Sequence, residues 1–76
     1  MRTDREIIRF LRQMYKLSQK TVADNLIGEN GKPVSRNYIN MIENGTGNVA
    51  LSSERAKEII DLIYKLGEEK KKKIKE

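Results

Sequence analysis

The sequence predicts an all-α fold, a compact bundle of four to five short helices. Three observations carry that expectation. Apolar residues recur at intervals of three and four, the period of a helix with one buried face. Short hydroxyl residues stand just ahead of those stretches, at Thr3, Ser18, Ser35 and Ser52 or Ser53, where helix N-caps belong. No alternating apolar pattern of the kind a half-buried strand needs competes with them.

The elements follow in order. Thr3-Asp4-Arg5-Glu6 has the form of a capping box, a hydroxyl followed three residues later by a carboxylate. A first helix over about 4–15 then turns Ile7, Ile8, Leu11, Met14 and Tyr15 inward, with Arg5, Arg9 and Arg12 on its flanks. A second helix over about 19–27 follows Ser18 and directs Val22, Ala23, Leu26 and Ile27 to the core until Gly28 ends it. The segment 28–33 is rich in turn formers and reads as an exposed loop, the most mobile internal segment. Ser35 opens a third helix, with Pro33 discouraging an earlier start. Ile39 and Ile42 anchor it, and Glu43-Asn44-Gly45 closes it with Gly45 as a left-handed cap. A fourth helix buries Ala56, Ile59, Ile60, Ile63 and Leu66 and ends or weakens at Gly67. The expected division is a domain over 1–67 and a charged tail over 68–76, a frayed helix or a disordered end.

Composition narrows the function classes. A chain of 76 residues is one small domain. It buries about 60% of its unfolded surface, too little for a deep pocket. There is no cysteine and no histidine, which removes most transition-metal sites and most nucleophile–base pairs. Gly28, Gly31, Gly45 and Gly47 are accounted for by turns, and no strand precedes a phosphate-cradling loop. An enzyme, a cofactor and a metal are therefore not expected. No apolar run is long enough to span a bilayer, and the opening Met1-Arg2-Thr3-Asp4 is no signal peptide, so a cytoplasmic protein without membrane contact is expected. The charge is 16 basic against 11 acidic residues, a net of +5. Residues 1–52 hold eight basic and five acidic side chains, so the body is modestly basic without the run Lys70-Lys71-Lys72-Lys73. That balance points mildly to nucleic acid or an acidic partner. The lysine run itself reads first as a solvated tail, and second as a phosphate-binding arm.

The informative constellation spans the second and third helices. Ala23 supplies the small side chain that a close helix crossing needs. At about 100° per residue, Ile39 and Ile42 define the inward side of the third helix. Asn37, Asn40 and Met41 then fall on the opposite side, with Arg36 at the flank. Lysine and glutamate are commoner on a merely solvated helix. Arginine pairs with guanine, asparagine with adenine, and methionine covers a thymine methyl, so this face suits a major groove. Tyr15, Tyr38 and Tyr64 are too scattered for a base-stacking platform and read as packing residues.

Leu17-Ser18-Gln19, Ala23, Val34-Ser35-Arg36 and Ile39-x-x-Ile42-Glu43-Asn44-Gly45 together resemble the lambda-repressor-like, or Xre, helix-turn-helix family over about residues 4–66. The resemblance implies a compact bundle of four or five helices that binds double-stranded DNA as a transcriptional regulator, a repressor by expectation. It places Arg36, Asn37 and Met41 at base-contacting positions, with Asn40 a neighbouring base-contact candidate. It places Gln19 and Asn44 near the backbone and pairs Arg12 with Glu43 in a structural ion pair; Lys20, Ser35 and Thr46, and Lys32 on the segment 28–33, are further candidate backbone contacts. Useful specificity from so small a module implies a homodimer on a palindromic operator. The apolar stripe of the fourth helix, including Leu62 or Tyr64 on its edge, is the candidate dimer surface. The chain departs from the family in one place: Ala23 to Ile39 spans 16 positions, longer than the usual spacing, so the helix-turn-helix carries a lengthened loop. A second departure is the end of the chain, where no fifth helix is evident after Gly67. The alternative readings are an antitoxin or other protein-interaction module that uses the same fold with a protein partner, and an RNA-binding or purely structural helical domain.

Overall fold

Each helix begins where a short side chain satisfies N–H groups that no preceding turn can reach. The computed structural model describes residues 3–74, with side chains through residue 72, and contains α1 (Asp4–Met14), α2 (Gln19–Asn25), α3 (Arg36–Asn44) and α4 (Ser53–Ile74). Thr3 and Glu6 form a reciprocal capping box at α1. Ser18 accepts the Thr21 N–H at 3.0 Å, Ser35 the Tyr38 N–H at 3.1 Å, and Ser52 the Arg55 N–H at 3.1 Å. Among the described residues the only β pairing is an isolated bridge between Ile27 and Pro33. No helix among them is long and apolar enough to cross a membrane.

The core is one cluster. Ile8 and Leu11 of α1 meet Leu17, Val22, Ala23 and Leu26 around α2, Ile39 and Ile42 of α3, and Ala56, Ile59 and Ile63 of α4. α1 packs on α3 and α4, and α2 packs on the same two helices. The sequence periods of α1, α3 and α4 thus converge on a shared interior.

Several boundaries differ from the sequence expectation. α1 stops at Met14, and Tyr15 is its cap residue. Lys16 adopts a left-handed conformation with φ 57°. Its N–H reaches the Gln13 carbonyl and the Leu17 N–H reaches the Arg12 carbonyl, both at 3.0 Å. That pattern closes a helix end tightly and buries Leu17. Met14 is 51% exposed and not part of the core, because the turn lets Leu17 take the inward place.

α2 ends at Asn25, so Leu26 and Ile27 are not helical. Leu26 is extended, and its carbonyl accepts the Val34 N–H at 2.9 Å. The Gly28 N–H donates to the Lys32 carbonyl at 2.8 Å, and the Gly31 N–H returns to the Gly28 carbonyl at 3.0 Å. Gly31 takes the positive φ of 77° that this tip requires. The segment expected as an exposed loop is exposed over residues 29–33, and these bonds tie it into a hairpin. Ile27 sits on it 51% exposed instead of in the core.

α4 does not end at Gly67; it continues to Ile74. Glycine is used here for what it lacks. The Tyr15 ring occupies the space beside it, and a Cβ on Gly67 would collide with ring carbons Cγ and Cδ1. Further links hold the extension down. Lys70 Nζ donates to the carbonyls of Tyr15 at 3.3 Å and Lys16 at 2.8 Å, satisfying the end of α1. Lys71 Nζ stands 5.1 Å from the Tyr15 ring centre, and Tyr64 meets that ring edge-on at 6.0 Å. The Tyr15 hydroxyl donates to Glu68 at 3.4 Å. Its pKa is raised, first by desolvation and then by the Glu68 charge, with Lys71 opposing. The segment expected as a tail is helical over residues 68–74. Residues 1, 2, 75 and 76 of the expected 1–67 and 68–76 division lie outside the described residues.

Gly67→Ala tests this packing by its sign. In an ordinary helix interior the change stabilises by about 0.5–1 kcal/mol. Here overpacking against Tyr15 is expected to outweigh that gain and lower stability by about 1–2 kcal/mol net. Urea denaturation of both proteins measures it. Tyr15→Ala should reverse the sign, since it empties the occupied space.

Candidate functional site

The best-defined surface feature is the outward side of α3 and the polar network that fixes the helix beneath it. Arg36 and Asn37 are exposed in its first turn, and Asn44 is exposed at its end. Asn40 and Met41 are partly buried between them. Ile39 and Ile42 are fully buried on the other side, so the helix has a fixed rotation. The structure thus brings Arg36, Asn37, Asn40, Met41 and Asn44 onto one helix with a determined outward face.

The network beneath is centred on Glu43, whose side chain is 2% exposed. Arg12 grips it with both arms, Nε to Oε2 at 2.5 Å and Nη2 to Oε1 at 2.9 Å. The third guanidinium nitrogen donates to the Leu17 carbonyl at 2.9 Å, so the same side chain braces the turn between α1 and α2. Gln19 adds its amide to Glu43 Oε1 at 3.3 Å and to Asn40 Oδ1 at 3.4 Å. Every oxygen of a buried carboxylate is thereby engaged, as burial of a charge requires.

Asn40 has a second role. Its Oδ1 and its backbone carbonyl accept the Asn44 amide at 2.9 Å and 3.0 Å. Bidentate recognition of an adenine edge uses both ends of a carboxamide. In the arrangement seen, the Asn40 oxygen is committed to Gln19 and Asn44, so Asn40 braces α3. Met41 folds over the turn that follows: a Cβ on Gly47 would strike its sulfur.

The remaining candidates are spread around this face. Ser35 uses its hydroxyl as the α3 cap. Lys20 is exposed and pairs with Asp24 at 3.0 Å, a surface contact one turn along α2. Such pairs contribute little and are readily exchanged for another anion. Thr46 is exposed in the turn after α3, its N–H donating to the Met41 carbonyl at 3.2 Å. Lys32 is exposed on the hairpin rather than on either helix, and Asn30 Oδ1 accepts its backbone N–H at 3.1 Å.

Two arginines that sequence reasoning left unassigned hold the site in place. Arg5 crosses from α1 to the end of α3. It donates to the carbonyls of Ile42 and Val49, each at 2.8 Å, and to that of Met41 at 3.5 Å. The Ile42 carbonyl lies in the last turn of α3 and the Val49 carbonyl in the loop leading to α4, where helical N–H partners run out, while the Met41 carbonyl also accepts the Gly45 and Thr46 N–H groups. The signal was present in the sequence: a cation in the first turn of a helix opposes the macrodipole and needs another reason to be there. Arg55 does the same for the hairpin. It donates to the Ile27 carbonyl at 3.1 Å and to Glu58 at 3.1 Å, and lies 6.0 Å from the Tyr38 ring centre. Desolvation lowers its pKa, yet the hydrogen bond and charge of Tyr38 and then Glu58 outweigh that, and the net direction is upward. Arg55 therefore ties the α2–α3 hairpin, α3 and α4 together as a permanent cation.

No protein family, curated protein or solved structure matches the chain.

Proposed function

We propose that the chain is a cytoplasmic, lambda-repressor-like helix-turn-helix protein that binds double-stranded DNA and represses transcription. The observation that carries this reading is α3 itself. Its inner side is locked by Ile39, Ile42 and the Arg12–Glu43–Gln19 network, while Arg36 and Asn37 stand fully outward at its first turn. A recognition helix needs that combination, a rigid register and a polar reading edge near its N-terminus. Arg36 and Asn37 are assigned to base edges. Met41 is assigned to an apolar contact, and Asn40 is assigned chiefly to bracing. Gln19, Lys20, Ser35, Asn44, Thr46 and Lys32 supply candidate backbone contacts around it.

A homodimer on a palindromic operator fits the same reading. Ala56, Ile59 and Ile63 of the α4 apolar stripe are buried in the core, whereas Phe10 and Met14 of α1 and Tyr64 of α4 are 47%, 51% and 46% exposed. These exposed apolar side chains also support the second reading, an antitoxin-like module whose protein partner covers α1 and α4.

The test is selection from a pool of random duplex DNA, run in parallel with wild type and Arg36→Ala/Asn37→Ala. The expected result is an enriched palindrome whose enrichment disappears in the variant. Removing one side chain from a base edge should cost about 1–3 kcal/mol. Equal, unselective binding by both proteins overturns the reading and favours the protein partner.

A further inference from the structure

The lysine run at the end of α4 is not a loose appendage, and its position relative to α2 gives it a use. Three features fix that position. The Tyr15 ring fills the space beside Gly67, so α4 lies close against the end of α1. Lys70 is bonded to the Tyr15 and Lys16 carbonyls, which anchors the last turns at the α1–α2 connection. A shallow cleft lined by Lys16, Ser18 and Thr21 on one side and by Leu66, Glu69 and Lys70 on the other joins the end of α4 to the start of α2. Gln19 and Lys20, assigned above to the DNA backbone, are the next residues along.

The side chains at this end divide by task. Lys70 is engaged with main-chain carbonyls, and Lys71 is held by Glu68 at 3.4 Å and by the Tyr15 ring. These two build the extension. Lys16 on the connection, at the rim of the cleft, and Lys72 on the last turns are exposed. Glu69 lines the cleft and offsets part of that charge.

We propose that the end of α4 is a fixed second contact for duplex DNA, in which Lys16 and Lys72 take phosphates flanking the half-site read by α3. This rests on the DNA-binding reading above and adds to it a longer footprint with a rigid rather than a trailing cation array. Phosphate neutralisation by placed lysines carries no base information, releases counterions and makes binding salt-dependent.

The experiment compares wild type, Lys16→Gln/Lys72→Gln, Lys16→Arg/Lys72→Arg and Glu69→Gln on the selected duplex over a salt series, with backbone-cleavage footprinting. The glutamine pair is expected to flatten the salt slope by about one per lysine. It should weaken binding to all sequences alike and lose protection only at phosphates flanking the half-site. The arginine pair should retain slope and footprint, and Glu69→Gln should tighten binding several-fold at low salt. An unchanged slope and footprint in the glutamine pair, with wild-type base preference intact, overturns the second contact and leaves the DNA-binding reading standing. If wild type shows no base preference, the DNA-reading proposal falls and the same slopes on unselected duplex decide the lysines. No duplex binding at all overturns both. Circular dichroism of each variant confirms that these exposed substitutions leave the helices in place.

Discussion

Glu43→Ala is expected to destabilise the domain by about 3–5 kcal/mol, because it strands a largely buried guanidinium without its counter-charge. For a chain of 76 residues the whole folding free energy is of order 4–11 kcal/mol at ordinary per-residue values. The single change therefore removes a large share of it. The mechanism is specific. Arg12 has two donors on Glu43 and a third on the Leu17 carbonyl, so it cannot swing to solvent without releasing the α1–α2 turn. Gln19 loses an acceptor at the same time. Replacing both charges, as Arg12→Leu/Glu43→Leu, should cost less than Glu43→Ala alone, since no charge is left unpaired. Urea titration of the two variants against wild type measures the difference. Equal losses in both would show that the pair contributes through packing and not through charge compensation.

Arg5→Ala is expected to cost about 2–3 kcal/mol, the range for charged hydrogen bonds to partly buried groups. Its two 2.8 Å bonds end on Ile42 and Val49, residues from either side of the turn that follows α3. The turn itself is built from Gly45 at φ 68° and Gly47 at φ 71°, with Asn48 also at a positive φ of 55°. A segment with three left-handed residues has little regular hydrogen bonding of its own, and the guanidinium supplies what is missing. Arg5→Lys keeps the charge but not the planar fork, so it should recover less than half of the loss. Amide exchange over 45–49 should accelerate in both variants, more in the alanine form. Protection unchanged in Arg5→Ala would mean that the turn holds itself.

Much of the frame was legible because it depends on local chemistry. Thr3, Ser18, Ser35 and Ser52 mark helix starts by a side-chain bond to a residue three positions on, a relation that sequence distance encodes directly. Ile8, Leu11, Ile39, Ile42, Ile59 and Ile63 announce the core by their period. What escaped depended on distant partners. Gly67 reads as a helix stop until Tyr15, far away in the chain, is known to need its missing Cβ. Met14 carries the right period but loses its inward place to Leu17 because Lys16 turns left-handed. The hairpin could not be foreseen from its glycines and proline, which signal turns without saying what pairs across them. Arg5 and Arg55 bind main-chain carbonyls; the place of Arg5 in a first helical turn hints at such a partner, but residue identity does not say which carbonyl it is. Within the candidate site, the outward placement of Arg36 and Asn37 follows from the wheel. The bracing role of Asn40 follows only from where Gln19 and Asn44 lie.

The bond from the Val34 N–H to the Leu26 carbonyl has a consequence for how such chains are compared. It closes the hairpin at its base, so the polypeptide leaves α2 and returns beside its point of departure before entering α3. The number of residues in the excursion is thereby decoupled from the distance between the two helices, and lengthening its tip need not move either one. Spacing along the chain is then a measure of contour, not of geometry. A helix pair defined by a fixed count of residues and one defined by its packing are different objects; α2 and α3 pack on each other whatever the length of the excursion between them.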